Sequence, residues 1–262
     1  MQHSANLNVM IKAARLAARS LVKDFREVEA LQVSRKGPGD FVSRADLAAE
    51  KTIRQELMTA RPAYGWLGEE SDAAEGKDPT RRWIVDPLDG TTNFLHGMPH
   101  WAISIALEHK GQIVAGVIYD PVKDEMFTAE KGAGAWMNDQ RLRVSGRAEM
   151  ADAVFATGIP FGASGALAES LAQMGRLSPA CAGVRRWGAA ALDIAYVAAG
   201  RWEGYWEQGI HAWDIAAGLA ILREAGGFSA PLREGADLLT DGGVIAANAA
   251  LFERLTRTLR AS

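Results

Sequence analysis

The sequence predicts an α+β fold built as two subdomains that share one site. Three observations carry that expectation. The chain opens with two amphipathic helical stretches. Between residues 102 and 137, short apolar segments are punctuated by Lys-Gly and Asp-Pro at hairpin spacing, which favours antiparallel strands. Beyond residue 151, strand-like segments alternate with Ala-rich helical ones, the pattern of an α/β layer. The shift near Ser145 sets the expected boundary between residues 1–145 and 146–262.

Leu7, Met10, Ile11, Ala14, Leu21, Val22 and Phe25 recur at helical intervals, so the first helix is expected over 7–30. Residues 31–40, with Lys36-Gly37-Pro38-Gly39-Asp40, read as a turn. A second helix is expected over 45–58, with Ala48, Ile53 and Leu57 inward and Glu50, Lys51, Arg54 and Glu56 outward; Arg61-Pro62 ends it. Trp66-Leu67-Gly68 reads as a short strand that delivers Glu69 and Glu70. A polar loop, 72–82, leads to a strand at 83–85, followed by strands at 102–108, 113–119, 125–129 and 134–137. The second half predicts a strand at 154–157, helices near 165–174 and over 188–199, and a strand at 204–207. A helix over 214–225 closed by Gly226-Gly227, a strand at 244–246 and a final helix capped by Asn248 complete the chain.

At 262 residues and 48% hydrophobic content, the chain can bury a sizeable interior. A net charge of −3 without a long basic run gives no nucleic-acid footprint. Cys181 is the only cysteine, so no internal disulfide forms and a reducing, cytoplasmic setting is expected. The N-terminus lacks the basic-then-apolar order of a signal peptide, and no apolar run approaches the roughly 20 residues that span a bilayer.

The chemistry concentrates in Trp83-Ile84-Val85-Asp86-Pro87-Leu88-Asp89-Gly90-Thr91-Thr92-Asn93. An apolar strand is expected to stop at two carboxylates three positions apart, on a turn stiffened by Pro87 and tightened at Gly90. Carboxylates and carbonyls on a short turn are hard oxygen ligands of the kind Mg²⁺ takes, with room left for water and phosphate. The N–H groups of Gly90, Thr91 and Thr92 follow at once and suit an anion. Cation and anion sites one turn apart point to metal-assisted chemistry on a phosphate.

This string, with Gly68-Glu69-Glu70-Ser71 upstream and Trp213-Asp214-Ile215-Ala216-Ala217-Gly218 downstream, resembles the motifs of the inositol monophosphatase family of Mg²⁺-dependent phosphatases. The resemblance runs from about residue 40 to 227 and implies a layered αβαβα sandwich and a homodimer. It also implies a phosphoric monoester hydrolase, sensitive to Li⁺, that acts on a small phosphorylated polyol, myo-inositol monophosphate first. Fructose bisphosphate, histidinol phosphate and a nucleotide 3′-phosphate are the alternative substrates. A protein partner in the transcription machinery is the alternative from another class.

By the same resemblance, Glu69, Asp86 and the Leu88 carbonyl hold one Mg²⁺, and Asp86, Asp89 and Asp214 a second, with a third ion near Glu69. Asp46 and Thr91 together with Glu69 orient the attacking water; for Asp46 the plain structural alternative is a helix N-cap. Gly90 and Thr91 supply N–H groups to the phosphate. Arg185 and Gly188-Ala189-Ala190 resemble the family segment R-R-x-G-S-A-A-L-D, with Ala189 replacing its usual hydroxyl residue. Gly188 and Ala190 are expected at the substrate, and Arg185 either there or at a dimer salt bridge. Glu207, seven residues before Asp214, matches the acidic residue that grips a ring hydroxyl. His96, His100 and His211 fit no zinc spacing and read as packing or supporting residues; tryptophans such as Trp83, Trp187, Trp202 and Trp213 read as core or interface.

Overall fold

A computed structural model describes residues 3–27, 33–37, 40–160 and 166–261. Helix α1 (Ala5–Arg26) starts at Ser4, whose hydroxyl accepts the Leu7 N–H. It buries Leu7, Met10, Ala13, Ala14, Ala17, Ala18 and Leu21. The expected end of this helix, 28–30, lies outside the described residues. Strands β1 (Val33–Gly37) and β2 (Asp40–Ser43) form an antiparallel pair where only a turn was expected; Pro38 and Gly39 lie outside the described residues. Helix α2 (Arg44–Ala60) packs on α1. Two of its expected faces are corrected: Ala48 is exposed, and Glu50 is buried because its carboxylate receives a backbone N–H.

Strands β3 (Gly65–Gly68) and β4 (Arg81–Asp89) run parallel. After helix α3 (Thr91–Leu95), strands β5 (Ala102–His109), β6 (Gln112–Asp120), β7 (Glu125–Glu130), β8 (Gly134–Met137) and β9 (Gln140–Arg141) add antiparallel neighbours in sequence order. The hairpin spacing read from the sequence therefore gives a seven-stranded sheet. Strand β4 does not stop at Asp86. It continues to Asp89 through a bulge, with Asp86 opposite Ser104 and Asp89 opposite Ala102, so three steps on β4 face two on β5. Pro87 has no ladder donor, and an extra residue is tolerated there.

The second sheet contains β10 (Val154–Thr157), β11 (Gly183–Arg185), β12 (Gly204–Gln208), β13 (Phe228–Pro231) and β14 (Gly243–Ala247), in the order β11-β10-β12-β14-β13. Between them lie helices α4 (Ala166–Leu177), α5 (Ala190–Ala198) and α6 (Ala212–Glu224), with α7 (Phe252–Arg260) last. Asn248 caps the turn before α7 and does not itself start the helix: its Oδ1 accepts the Leu251 N–H, and the helix begins at Phe252.

Contacts stack these elements in five layers: α1 and α2, the seven-stranded sheet, α5 and α6, the five-stranded sheet, then α4 and α7. This is the αβαβα sandwich that the resemblance implied, and the three apolar clusters fill its spaces. The middle layer explains the Ala-rich second half. Helices covered on both sides must be apolar all round and small where backbones approach. A Cβ at Gly116 would come 2.5 Å from the Ala217 carbonyl, so α6 lies directly on β6.

Candidate active site

Parallel pairing sets the first part of the site. Gly68 lies opposite Val85, and the Glu69 N–H donates to the Val85 carbonyl at 3.1 Å. Glu69 therefore leaves β3 beside the point where β4 reaches Asp86. The turn below it is held from α2: Glu50 Oε2 accepts the Glu70 N–H at 2.8 Å. A Cβ at Gly68 would come 2.5 Å from that same oxygen, which is why glycine precedes the acidic pair.

The bulge presents the next two carboxylates. Asp86 is 1% exposed and accepts the Leu88 N–H at 2.8 Å. Asp89 crosses to the start of α5, accepting from Ala190 N–H at 3.2 Å and Ala191 N–H at 2.8 Å. It thus serves as the cap that Ala189, at the N-cap position, lacks. Gly90 has φ +90°, and a Cβ there would approach the His100 carbonyl at 3.1 Å. The Thr91 hydroxyl donates to the Leu88 carbonyl at 3.0 Å. Asn93 ties this turn to the segment before α5, donating to the His100 carbonyl at 2.8 Å and the Trp187 carbonyl at 2.7 Å.

Asp214 is the third residue of α6, and its Oδ2 accepts the His211 N–H at 2.6 Å. Asp46 lies in the first turn of α2, 1% exposed, and is not the N-cap because the helix starts at Arg44.

The acidic groups feel one another. Burial pushes Asp86 well above the usual carboxylate range, and the charges of Glu69, Asp89 and Asp214 push it further. Burial also lifts Asp89 to about 8, with the Ala191 N–H opposing and Glu207 and Glu69 adding. Asp214 is raised by burial and by Asp89, Glu69 and Glu207 against the pull of the His211 N–H. Among the described residues no three carboxylate, imidazole or thiolate groups already converge on one point. Asp86, Asp89 and Asp214 each accept backbone N–H donors. An all-oxygen set with mutually raised protonation fits a hard divalent cation, which would relieve that repulsion.

The opposite wall is built around Glu207 on β12. Thr157 pairs with Trp206 across parallel β10 and β12, which brings Gly158 beside Glu207. The Tyr205 hydroxyl donates to Glu207 Oε2, and a Cβ at Gly158 would overlap the Glu207 carboxylate. Burial lifts Glu207 to about 7, with Tyr205 and Arg186 pulling it down. Asp193 on α5 is 1% exposed and well above the usual carboxylate range, through burial and then the charges of Glu207 and Asp89.

Arg185 and Arg186 part company. Arg185 is exposed on edge strand β11, donates to the Val184 carbonyl and acts electrostatically on Cys181. Arg186 is the one whose charge reaches Glu207 and Asp193. Gly188 has φ +77°, a left-handed conformation that favours glycine, and a Cβ there would make only ordinary contact with the Arg186 guanidinium, at 3.5 Å. Ala189 packs where a Gly90 Cβ would meet it at 3.3 Å, so its small side chain fits this junction. Of the three histidines, His100 is the buried packing residue, held neutral by burial, near 4, and edge-on to Trp187. His211 is exposed and stacks on Trp213 at 4.7 Å, and His96 is exposed at the end of α3. A cavity of about 370 Å³ adjoins the loop between Glu207 and Asp214, lined by Gln208, Gly209, Ile210 and His211; no acidic group of the site lines it.

Sequence reasoning missed Glu50, Gly158, Asp193, Tyr205 and Arg186. Two signals were available. Glu50 follows Asp46 by one helical turn, and Tyr205 precedes Glu207 by two positions on a strand.

A sandwich whose layers bring an acidic bulge to the head of two helices defines a class of phosphate-processing site. The profile of the inositol monophosphatase family matches residues 3–262. The inositol-1-monophosphatase of Mesorhizobium japonicum is 55% identical over 260 residues, covering 99% of this chain and 98% of that protein. The Nus factor SuhB of Pasteurella multocida is 45% identical, covering 92% and 90%. The crystal structure of extragenic suppressor protein suhB from Bartonella henselae superposes with a TM-score of 0.95 at 52% identity, covering 99% and 100%. The chain belongs to the inositol monophosphatase family. It is a phosphoric monoester hydrolase. No described helix is long and apolar enough to cross a membrane.

Proposed function

We propose that this protein hydrolyses the monophosphate of a small polyol, myo-inositol monophosphate first, with Mg²⁺ held by Glu69, Asp86, the Leu88 carbonyl, Asp89 and Asp214. The observation that carries the reading is the β4 bulge, which presents Asp86 and Asp89 next to Glu69 and the head of α5, with Asp214 near enough for its charge to act on Asp86. Burial first, and neighbouring acids second, raise Asp86, Asp89 and Asp214. Two or three ions bind there, and when bound they supply neutralisation of the acidic groups and Lewis acidity toward a phosphoryl group.

The chain's own residues do the rest. Thr91 and Asp46, with Glu69, orient a water for in-line attack on phosphorus. Oxygen of that water forms the new P–O bond, the ester P–O bond breaks, and the alcohol leaves with a proton. The Gly90 and Thr91 N–H groups meet the charge that gathers on the phosphoryl oxygens. Gly188 and Ala190 line the substrate from the head of α5, and Glu207 accepts a ring hydroxyl. Arg186 is a better candidate than Arg185 for a charge near the substrate, since its field reaches Glu207. Arg185, exposed on an edge strand, suits a subunit contact in a homodimer.

The same reading includes a cytoplasmic enzyme inhibited by Li⁺, with a subdomain boundary at 145/146. Asn248 and Glu203, both from the second half, bond to Ser145, so the two halves are tied together at this point. The SuhB relatives favour a second role as a binding partner of the transcription machinery.

The test is phosphate release from inositol 1-phosphate across a Mg²⁺ titration. Turnover is expected to vanish with a chelator and return with Mg²⁺. Full turnover in metal-free buffer overturns the reading.

A further inference from the structure

Glu207 has two carboxylate oxygens, and the fold has already committed one. Tyr205 and Glu207 lie two positions apart on β12 and share a face, while Trp206 between them packs into the outer apolar cluster. Tyr205 is fully buried in the central cluster, and its hydroxyl donates to Glu207 Oε2. Among the described residues this is the only hydrogen bond to that carboxylate. A phenylalanine would fill the same apolar space, so the hydroxyl is not explained by packing. A buried hydroxyl needs an acceptor, and Glu207 is the one it has.

The second constraint comes from β10. A Cβ at Gly158 would overlap the Glu207 carboxylate, with Oε1 the nearest atom, so the acid lies flat on bare backbone. Gly158 is not among the residues with positive φ, so its identity answers to this contact and not to backbone conformation. Arg186, Asp193, Asp89 and Asp214 are the charged groups around it.

The geometry points to Tyr205 as a positioning residue for polyol specificity: its hydroxyl, with Gly158 beneath, holds Glu207 in the one orientation that leaves Oε1 to accept a ring hydroxyl of the substrate. This rests on the reading of Glu207 as the polyol contact. Fixing the carboxylate beforehand removes the ordering penalty that a free side chain pays on binding. A substrate without the hydroxyl gains nothing from it.

The experiment measures kcat and KM for inositol 1-phosphate and for an aryl phosphate in Tyr205→Phe, Glu207→Gln and the double variant, at saturating Mg²⁺. Tyr205→Phe is expected to lower kcat/KM for inositol 1-phosphate by roughly three- to tenfold, mainly through KM, and to change the aryl phosphate by less than about twofold. In the Glu207→Gln background it is expected to add little, since both changes remove one interaction. Gly158→Ala displaces the carboxylate by another route and is expected to reproduce the same substrate discrimination, which keeps the proposal testable should the Phe variant not fold. Equal losses on both substrates in Tyr205→Phe, or additive losses in the double variant, overturn the proposal. If Glu207→Gln discriminates between the substrates and Tyr205→Phe does not, the positioning role alone fails. If Glu207→Gln does not discriminate, the polyol reading fails and this proposal with it.

Discussion

The wall that carries Glu69, Asp86 and Asp89 comes from two adjacent parallel strands and the turn that follows, whereas the wall that carries Glu207 is assembled from β10, β12, the segment before α5 and α5 itself. The first wall holds its carboxylates with backbone donors: Leu88 for Asp86, and Ala190 and Ala191 for Asp89. The second holds its carboxylate with a side chain and a missing one, Tyr205 and Gly158. Backbone donors survive most substitutions, so the first wall is bound to the fold. A side-chain arrangement can be exchanged residue by residue. The comparison separates a fixed chemical wall from an adjustable recognition wall.

Asp89→Asn strikes both fold and chemistry and is expected to have the largest effect. Turnover should fall by several orders of magnitude at any Mg²⁺ concentration. Stability should fall as well, because an amide offers one acceptor oxygen where Ala190 and Ala191 need two. Near pH 7 the metal-free Asp89, with its pKa at about 8, already favours the neutral form, so removing its charge relieves little. Loss of capping, about 1 kcal/mol, therefore decides the sign. Thermal melting in chelator beside turnover in Mg²⁺ checks both halves; near-normal turnover would make Asp89 a structural cap alone.

Thr91→Ala is expected to lower kcat with little change in Mg²⁺ affinity, because its task lies in orienting water in the transition state. It also removes the hydroxyl that bonds the Leu88 carbonyl. A collapse of Mg²⁺ affinity with saturating turnover intact would move Thr91 from water orientation to support of the ligand carbonyl.

The metal-free protein should lose stability as pH rises. Glu207 titrates near 7 when folded against 4.5 as a model group, so the folded state binds its proton more tightly. That contribution is fully present below about pH 4.5 and is lost as pH rises through about 7. Melting in chelator is therefore expected at higher temperature at pH 5 than at pH 8, with a shallower slope in Glu207→Gln. Mg²⁺ should raise the melting temperature most at the alkaline end. A melting temperature that climbs with pH in chelator contradicts this.

Glu50→Gln is the mildest change. It keeps a bond to the Glu70 N–H but loses the charge that strengthens it. Mg²⁺ affinity is expected to weaken roughly fivefold, with kcat at saturating metal nearly unchanged, as isothermal titration and kinetics would report. No change in affinity would show that the Glu69 turn does not depend on α2.

The two walls also differ in how far they could be read from residues alone. Asp86 to Thr91 form one uninterrupted string, and local rules for Pro, Gly and carboxylates apply to it directly. Even there the bulge was hidden, because only the register against β5 reveals that β4 runs on to Asp89. The recognition wall depends on contacts between residues far apart in the chain. Gly158 and Glu207 meet only through the pairing of β10 with β12, and no local pattern reports that pairing. The same holds for Glu50, which helical periodicity put outward and which is buried because it receives the Glu70 N–H. The two- and three-residue edge strands β9 and β11 were missed for want of length.

The central claim is the division of labour between the walls, and Glu207→Gln tests it most directly. The ratio of kcat/KM for inositol 1-phosphate to that for an aryl phosphate cancels any general damage to the acidic site. Loss of a charge-assisted hydrogen bond, roughly 1.5–3 kcal/mol, predicts a fall of that ratio by about ten- to a hundredfold with aryl-phosphate turnover nearly unchanged. Equal losses on both substrates would contradict the account and return Glu207 to structure.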